Sequence, residues 1–173
     1  TATLVSAKEW ISKDYPEGTT PMAVVQGKNK NESRECYNIL KHQGYQKIAF
    51  SYGADWYSEE FPHPNPLVGK MMGRIMTISK MYKAGLIKDR DRVHLLGCQV
   101  PQEFGWYQGI ECIESIDTSN PIMAALEGEA YNFYGLTDKP KANMNDYQDI
   151  ATENVDLDLV DNNVEMFRLI NNL

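Results

Sequence analysis

The chain has 173 residues, with 17 Lys+Arg against 24 Asp+Glu and a formal charge of −7. Apolar residues make up 42% and charged residues 24%, the proportions of a folded globular chain, which excludes disordered, collagenous and low-complexity classes. The length suits one domain over 1–173, and the longest apolar runs, MAVV and IAF, fall far short of the roughly 20 residues that span a bilayer, so no membrane partner is expected.

In chain order, strand signals alternate with helix signals. Residues 7–14 predict a short helix, which Pro16, Gly18 and Pro21 end. MAVVQG (22–27) is an apolar run closed by glycine, the pattern of a buried strand. Asn29 or Asn31 then caps a helix with Cys36, Ile39 and Leu40 on one face and Gly44 as its stop. KIAFSYG (47–53) is a second strand, followed by an aromatic and proline-rich loop, DWYSEEFPHPNP. A long helix is expected from Pro66 to Ala84, carrying Leu67, Met71, Ile75, Ile78 and Tyr82 at helical steps, with Gly85 closing it. VHLLG (93–97) is a third strand, and Pro101 opens a short helix through about Cys112. ECIESID (111–117) contains a fourth strand, and Pro121 sits where a first-turn proline would open a helix. The signal fades into loop over 128–154 and returns as a closing helix over 157–172.

Four strand–helix units in succession predict an α/β fold with a parallel sheet and outer helices, strands lying near 22–26, 47–51, 93–97 and 114–117. In such sheets the chemistry gathers at the C-terminal strand ends. Here these are Gln26-Gly27, Ser51-Tyr52-Gly53, Gly97-Cys98-Gln99 and Asp117-Thr118-Ser119-Asn120. Asp117 is the most informative of them: a carboxylate facing the pocket is a nucleophile or a base, and otherwise a cap for the helix near Pro121. The amide of Gln26 offers both donor and acceptor to a nucleobase edge. Gly27 and Gly53 either admit a flat ligand to the backbone or serve turn geometry alone. Tyr52, Trp56 and Tyr57 either stack on a base or pack. Asp117 and Gln26 are expected to share one pocket, their side chains on the order of 8–12 Å apart.

Several chemistries find no support. Dinucleotide, Walker and HExxH motifs are absent. His42, His63 and His94 are scattered, with His94 mid-strand in the position of a satisfied core residue, and no metal or other cofactor is expected. Cys36, Cys98 and Cys112 are odd in number and widely spaced, which fits a reducing, cytoplasmic setting, as does the lack of a basic-then-apolar leader. Cys98 stands at a strand end without a neighbouring histidine in sequence. Lys28, Lys30, Arg34, Lys41 and Lys47 form either a local phosphate patch or a solvated helix face, within an acidic whole that opposes broad nucleic-acid binding.

The runs MAVVQGKNKNESRECYNILKHQGYQKIAFSYG and VHLLGCQVPQEFGWYQGIECIESIDTSNP resemble the tRNA-guanine transglycosylases, in order and spacing, over roughly residues 20–125. The resemblance implies a (β/α)8 barrel of which this chain holds the second half. It implies Asp117 as the nucleophile that displaces guanine and holds the ribose covalently. Gln26 and Gly27, with the backbone of Ser51, Tyr52 and Gly53, would bind the base. The implied reaction replaces guanine by a 7-deazaguanine in tRNA or DNA, with the barrel completed by another chain or by a homo-oligomer. The chain departs from the family where Ser51-Tyr52 replaces a Gly-Gly pair, where Thr118-Ser119-Asn120-Pro121 replaces a basic segment, and in lacking the cysteine–histidine zinc site. A non-catalytic binding or structural protein that retains the fold is the alternative these departures leave open.

Overall fold

The computed structural model describes residues 2–98, 100–136, 138, 140–141 and 144–172. Gln99, named above at a strand end, lies outside the described residues. Helix α1 (Ala2–Ile11) precedes strand β1 (Met22–Val25), helix α2 (Lys30–His42) and strand β2 (Lys47–Ser51). A one-turn helix α3 (Tyr57–Glu60) and the long α4 (Pro66–Lys83) lead to β3 (Arg92–Leu96), a 3-10 stretch (Pro101–Tyr107) and β4 (Ile113–Asp117). Helix α5 (Asn120–Leu126), two 3-10 turns (Met144–Tyr147 and Thr152–Asn154) and α6 (Leu157–Asn171) complete the order.

Local chemistry sets the boundaries. The Asn29 side chain accepts from Glu32 N at 3.0 Å and starts α2, and Asn65 accepts from Leu67 N at 2.9 Å ahead of Pro66 to start α4. Asp156 does the same for α6 through Leu159 N at 2.9 Å. Gly44, with φ of 101°, provides the left-handed step after α2 that side chains resist. Three expectations differ from what is found. The first helix begins at Ala2 rather than at residue 7. The aromatic loop holds one helical turn, α3. The stretch after Pro101 is a tight 3-10 coil ending at Tyr107, because Gly109, two residues on, takes a φ of 81° and turns the chain.

All four strands are parallel and hydrogen-bonded in the order β1-β2-β3-β4. This is the order of an arc of a barrel and equally of an open sheet. Side chains alternate across it. Ala23, Val25, Ile48, Phe50, Val93 and Leu95 turn to one face and join Leu40, Ile78, Met81 and Ile87 in a single apolar core. Leu40 and Ile78 are fully buried, a position worth roughly 1.5–3 kcal/mol per side chain. The other face carries Met22, Val24, Lys47, Ser51, Arg92, His94, Leu96, Ser115 and Asp117. Here Met22 is exposed and Val24 and Leu96 only half-buried, so this face is the open one. Between β3 and β4 the register slips: Val93 pairs with Ile113, but His94 pairs with Ser115. Glu114 is the extra residue, and its carboxylate meets Arg92 at 2.6 Å and Lys47 at 3.2 Å.

Candidate active site

The C-terminal strand ends form two adjoining depressions. One, a cavity of about 480 Å³, is lined by Ser51, Tyr52, Gly97, Cys98, Asp117 and Asn120, among others. The second, about 470 Å³, is lined by Gln26, Gly27, Ser33, Ser51, Gly53 and Trp56, among others. Ser51, at the end of β2, is common to both. Asp117 and Gln26 were expected in one pocket; they line neighbouring ones instead. The cause is topological: β1 and β4 are the two edges of the sheet, three ladder steps or about 14 Å apart at the usual strand spacing.

Asp117 ends β4 on the open face, with its side chain about half exposed. Its Oδ1 accepts from Gly97 N at 3.0 Å and lies 3.0 Å from His94 Nε2. The other imidazole nitrogen, Nδ1, is 2.9 Å from Ser115 Oγ. Among the described residues none donates to Oδ2. The helix-capping alternative does not describe this carboxylate, because α5 opens on Ser119 without a side-chain cap and Asn120 N is taken by Thr118 Oγ1 at 3.0 Å. His94 is buried and satisfied, as its mid-strand position suggests, but one of its two partners is Asp117. The sequence signal was there: His94 and Asp117 both fall on polar positions of adjacent strands, and the slip in register between them hides that they share a face.

Gly97 has a φ of 65°, and a Cβ on it would run into the Tyr52 ring. An edge of the Tyr52 ring therefore closes on this turn, and the residue is half-buried at the cavity wall. Gly27 is needed for a different reason. Its backbone presses on the first turn of α2, where a Cβ would overlap Ser33, so close packing by itself requires a glycine here. At Gly53 a Cβ would meet only Ser51 Oγ, at 3.5 Å, and Gly53 N donates to that hydroxyl at 3.2 Å. Gln26 is exposed, with its backbone N donating to Cys36 Sγ at 3.4 Å. Trp56 and Tyr57 are buried against each other, ring centroids 4.4 Å apart, and pack rather than stack on anything in the cavity.

A buried cation that sequence reading missed underlies both depressions. Arg74 of α4 is fully buried and donates Nε to Glu103 Oε1 at 2.6 Å. Its Nη1 reaches the carbonyls of Phe50 (3.0 Å) and Leu96 (3.1 Å), and its Nη2 reaches that of Gly97 (2.8 Å). These are the carbonyls at the ends of β2 and β3, so one guanidinium sets where Ser51 and Gly97 begin. Burial disfavours its charge, but the Glu103 carboxylate outweighs burial and holds the guanidinium protonated. Of the five clustered basic residues, Lys30 pairs with Glu60, Lys41 with Asp91 and Lys47 with Glu114. Three of the five are thus neutralised within the fold.

All three cysteines are buried, and none is in a disulfide. Cys98 Sγ sits 3.0 Å from Thr118 Oγ1 at the cavity wall. Burial raises the thiol of Cys36, and burial together with nearby Asp91 pushes that of Cys112 up to about 11, which keeps both from acting as thiolates. Among the described residues no group of three or more His, Cys, Asp and Glu is arranged to hold a metal ion, and no helix is long and apolar enough to cross a membrane.

No protein-family model matches the chain. A curated protein, the DNA-guanine transglycosylase of Salmonella montevideo, is 25% identical to it over 132 residues. The matched stretch is 76% of this chain but 28% of that relative, so the chain spans under a third of the relative's length. The chain is thus distantly similar to a guanine transglycosylase.

Proposed function

We propose that this chain carries the nucleophile of a base-exchange reaction in which guanine is replaced by a 7-deazaguanine in a nucleic acid. The observation that carries the reading is Asp117, held through Oδ1 and open at Oδ2, in the lining of a cavity of ligand size. In this mechanism Oδ2 attacks C1′ of the sugar, and the C1′–N9 bond breaks with its electron pair leaving on guanine, which takes up a proton. The incoming base, deprotonated at N9, then attacks C1′, and the C1′–Oδ2 bond breaks to restore the carboxylate. Gln26, Gly27, Ser51, Tyr52 and Gly53 hold the base in this reading, spread across the two depressions that meet at Ser51. The distant relative's substrate, as its name states, is DNA, and this supports DNA ahead of tRNA. Further strand–helix units, supplied by another chain or a second copy, would complete a barrel by pairing with the edge strands β1 and β4, which would enclose the less buried face of the sheet.

The test is incubation of the full chain with labelled guanine and duplex DNA or tRNA. Incorporation that vanishes in Asp117→Asn supports the reading. An Asp117→Asn variant that exchanges as the unmodified chain does overturns it. Binding of the nucleic acid with no exchange by the unmodified chain would support the non-catalytic alternative instead.

A further inference from the structure

We propose that His94 is a positioning residue for Asp117, its tautomer set by that carboxylate and accommodated by the Ser115 hydroxyl; the inference rests on the functional reading above. His94 Nε2 and Gly97 N both converge on Oδ1, each at 3.0 Å. A carboxylate held by two donors on one oxygen cannot rotate to present that oxygen, so the attacking atom is Oδ2. The same two donors fit the covalent stage. Once Oδ2 is bonded to C1′ the group is an ester, and Oδ1 is its carbonyl, still an acceptor in the same place. Nothing has to rearrange between the free and covalent states.

The tautomer follows from the partners. Facing an ionised carboxylate, Nε2 has to carry a hydrogen, because its lone pair would otherwise oppose that of Oδ1. The neutral ring then has a bare Nδ1, which accepts from the Ser115 hydroxyl at 2.9 Å. Ser115 and Asp117 are two residues apart on β4 and share its open face, and His94 stands opposite Ser115 on β3. The imidazole is nine-tenths buried, so its orientation is fixed by packing as well as by its two partners. Misplacing a reacting group by about 1 Å costs on the order of 10²-fold in rate, which sets the scale expected when this support is removed.

The experiment compares His94→Leu, His94→Gln and Ser115→Ala with the unmodified full chain. It measures kcat and KM for labelled guanine exchange, thermal melting, and the imidazole nitrogens by long-range ¹⁵N NMR. His94→Leu is expected to lower kcat about 10²-fold with KM and melting little changed. His94→Gln, which keeps a donor near the Nε2 position, should recover most of the loss, and Ser115→Ala should fall between. The spectrum should show the Nε2–H tautomer, and its signals should shift in Asp117→Ala. A kcat unaffected by His94→Leu, a loss that glutamine does not rescue, or an Nδ1–H tautomer overturns the proposal. If the unmodified chain exchanges no base, the functional reading fails, and the tautomer measurement decides the positioning of Asp117 by itself.

Discussion

Asp117 has two separable properties, an acceptor at Oδ1 and a charge at Oδ2, and substitutions tell them apart. Asn keeps the acceptor for His94 and Gly97, so Asp117→Asn should abolish exchange while melting at the same temperature as the unmodified chain. Asp117→Ala removes the acceptor too, and should cost about 1 kcal/mol in urea unfolding, at the modest end for a half-exposed group. Gly97 is the second residue with a sharp expectation. Its φ of 65° and its contact with the Tyr52 ring both penalise a side chain. Gly97→Ala should therefore lose about 2 kcal/mol, and Tyr52→Ala added to it should return only the steric part, leaving the backbone strain. Urea titration of the two single variants and the double variant reads both parts.

Between elements, the junction that matters is Arg74 of α4 against the ends of β2 and β3. Arg74→Met takes the counter-charge from the buried Glu103 and removes one donor each from the carbonyls of Phe50, Leu96 and Gly97. A loss of 3–5 kcal/mol is expected, measured by chemical unfolding, with much of it restored in Arg74→Met/Glu103→Leu. None of this was legible in the sequence. Arg74 looks like one polar residue in an amphipathic helix, and Glu103 lies 29 residues further on. The strands were legible because each is an apolar run stopped by glycine or a polar cluster, and the helices because Asn29, Asn65 and Pro66 punctuate them. Asp117 was legible for the same reason, as a carboxylate at a strand end. Its pairing with His94 and its separation from Gln26 were not, since both depend on which strands are neighbours and in what register.

At the scale of the whole molecule, acid stability has a definite origin. Burial opposes ionisation of Asp91, but hydrogen bonds from Lys41 Nζ (2.8 Å), Lys88 N (3.0 Å) and Tyr37 Oη (2.8 Å) outweigh it and hold the carboxyl below its ordinary 3.8. A carboxylate whose folded pKa is lowered stabilises fully above its unfolded value and loses that contribution as pH falls through the folded one. The chain should therefore hold constant stability from neutrality down to about pH 4 as far as Asp91 is concerned, and lose it below. Asp91→Asn should cost about 2 kcal/mol at neutral pH and flatten that acid limb, as followed by melting temperature against pH. The Asp91 cluster joins α2, β3 and the turn before it, so its protonation loosens the core far from Asp117. Exchange, if measured in the same range, should fail through unfolding rather than through the site.

The extra residue in β4 has a consequence for how the chain tolerates changes in length. In β1, β2 and β3, losing one residue would invert every side chain beyond the cut, sending core positions to water. In β4 the count is already one over, because Glu114 fills a step that β3 lacks. Deleting Glu114 would join Ile113 directly to Ser115, leaving Ser115 opposite His94 and Asp117 opposite Leu96. The Lys47 and Arg92 contacts would go, but Asp117 would keep its side of the sheet. A Glu114 deletion should thus retain the Asp117 geometry where an Ala49 deletion, which would turn Phe50 outward and Ser51 inward, abolishes folding. Of the four strands, the one that bears Asp117 is the one built to survive being shortened.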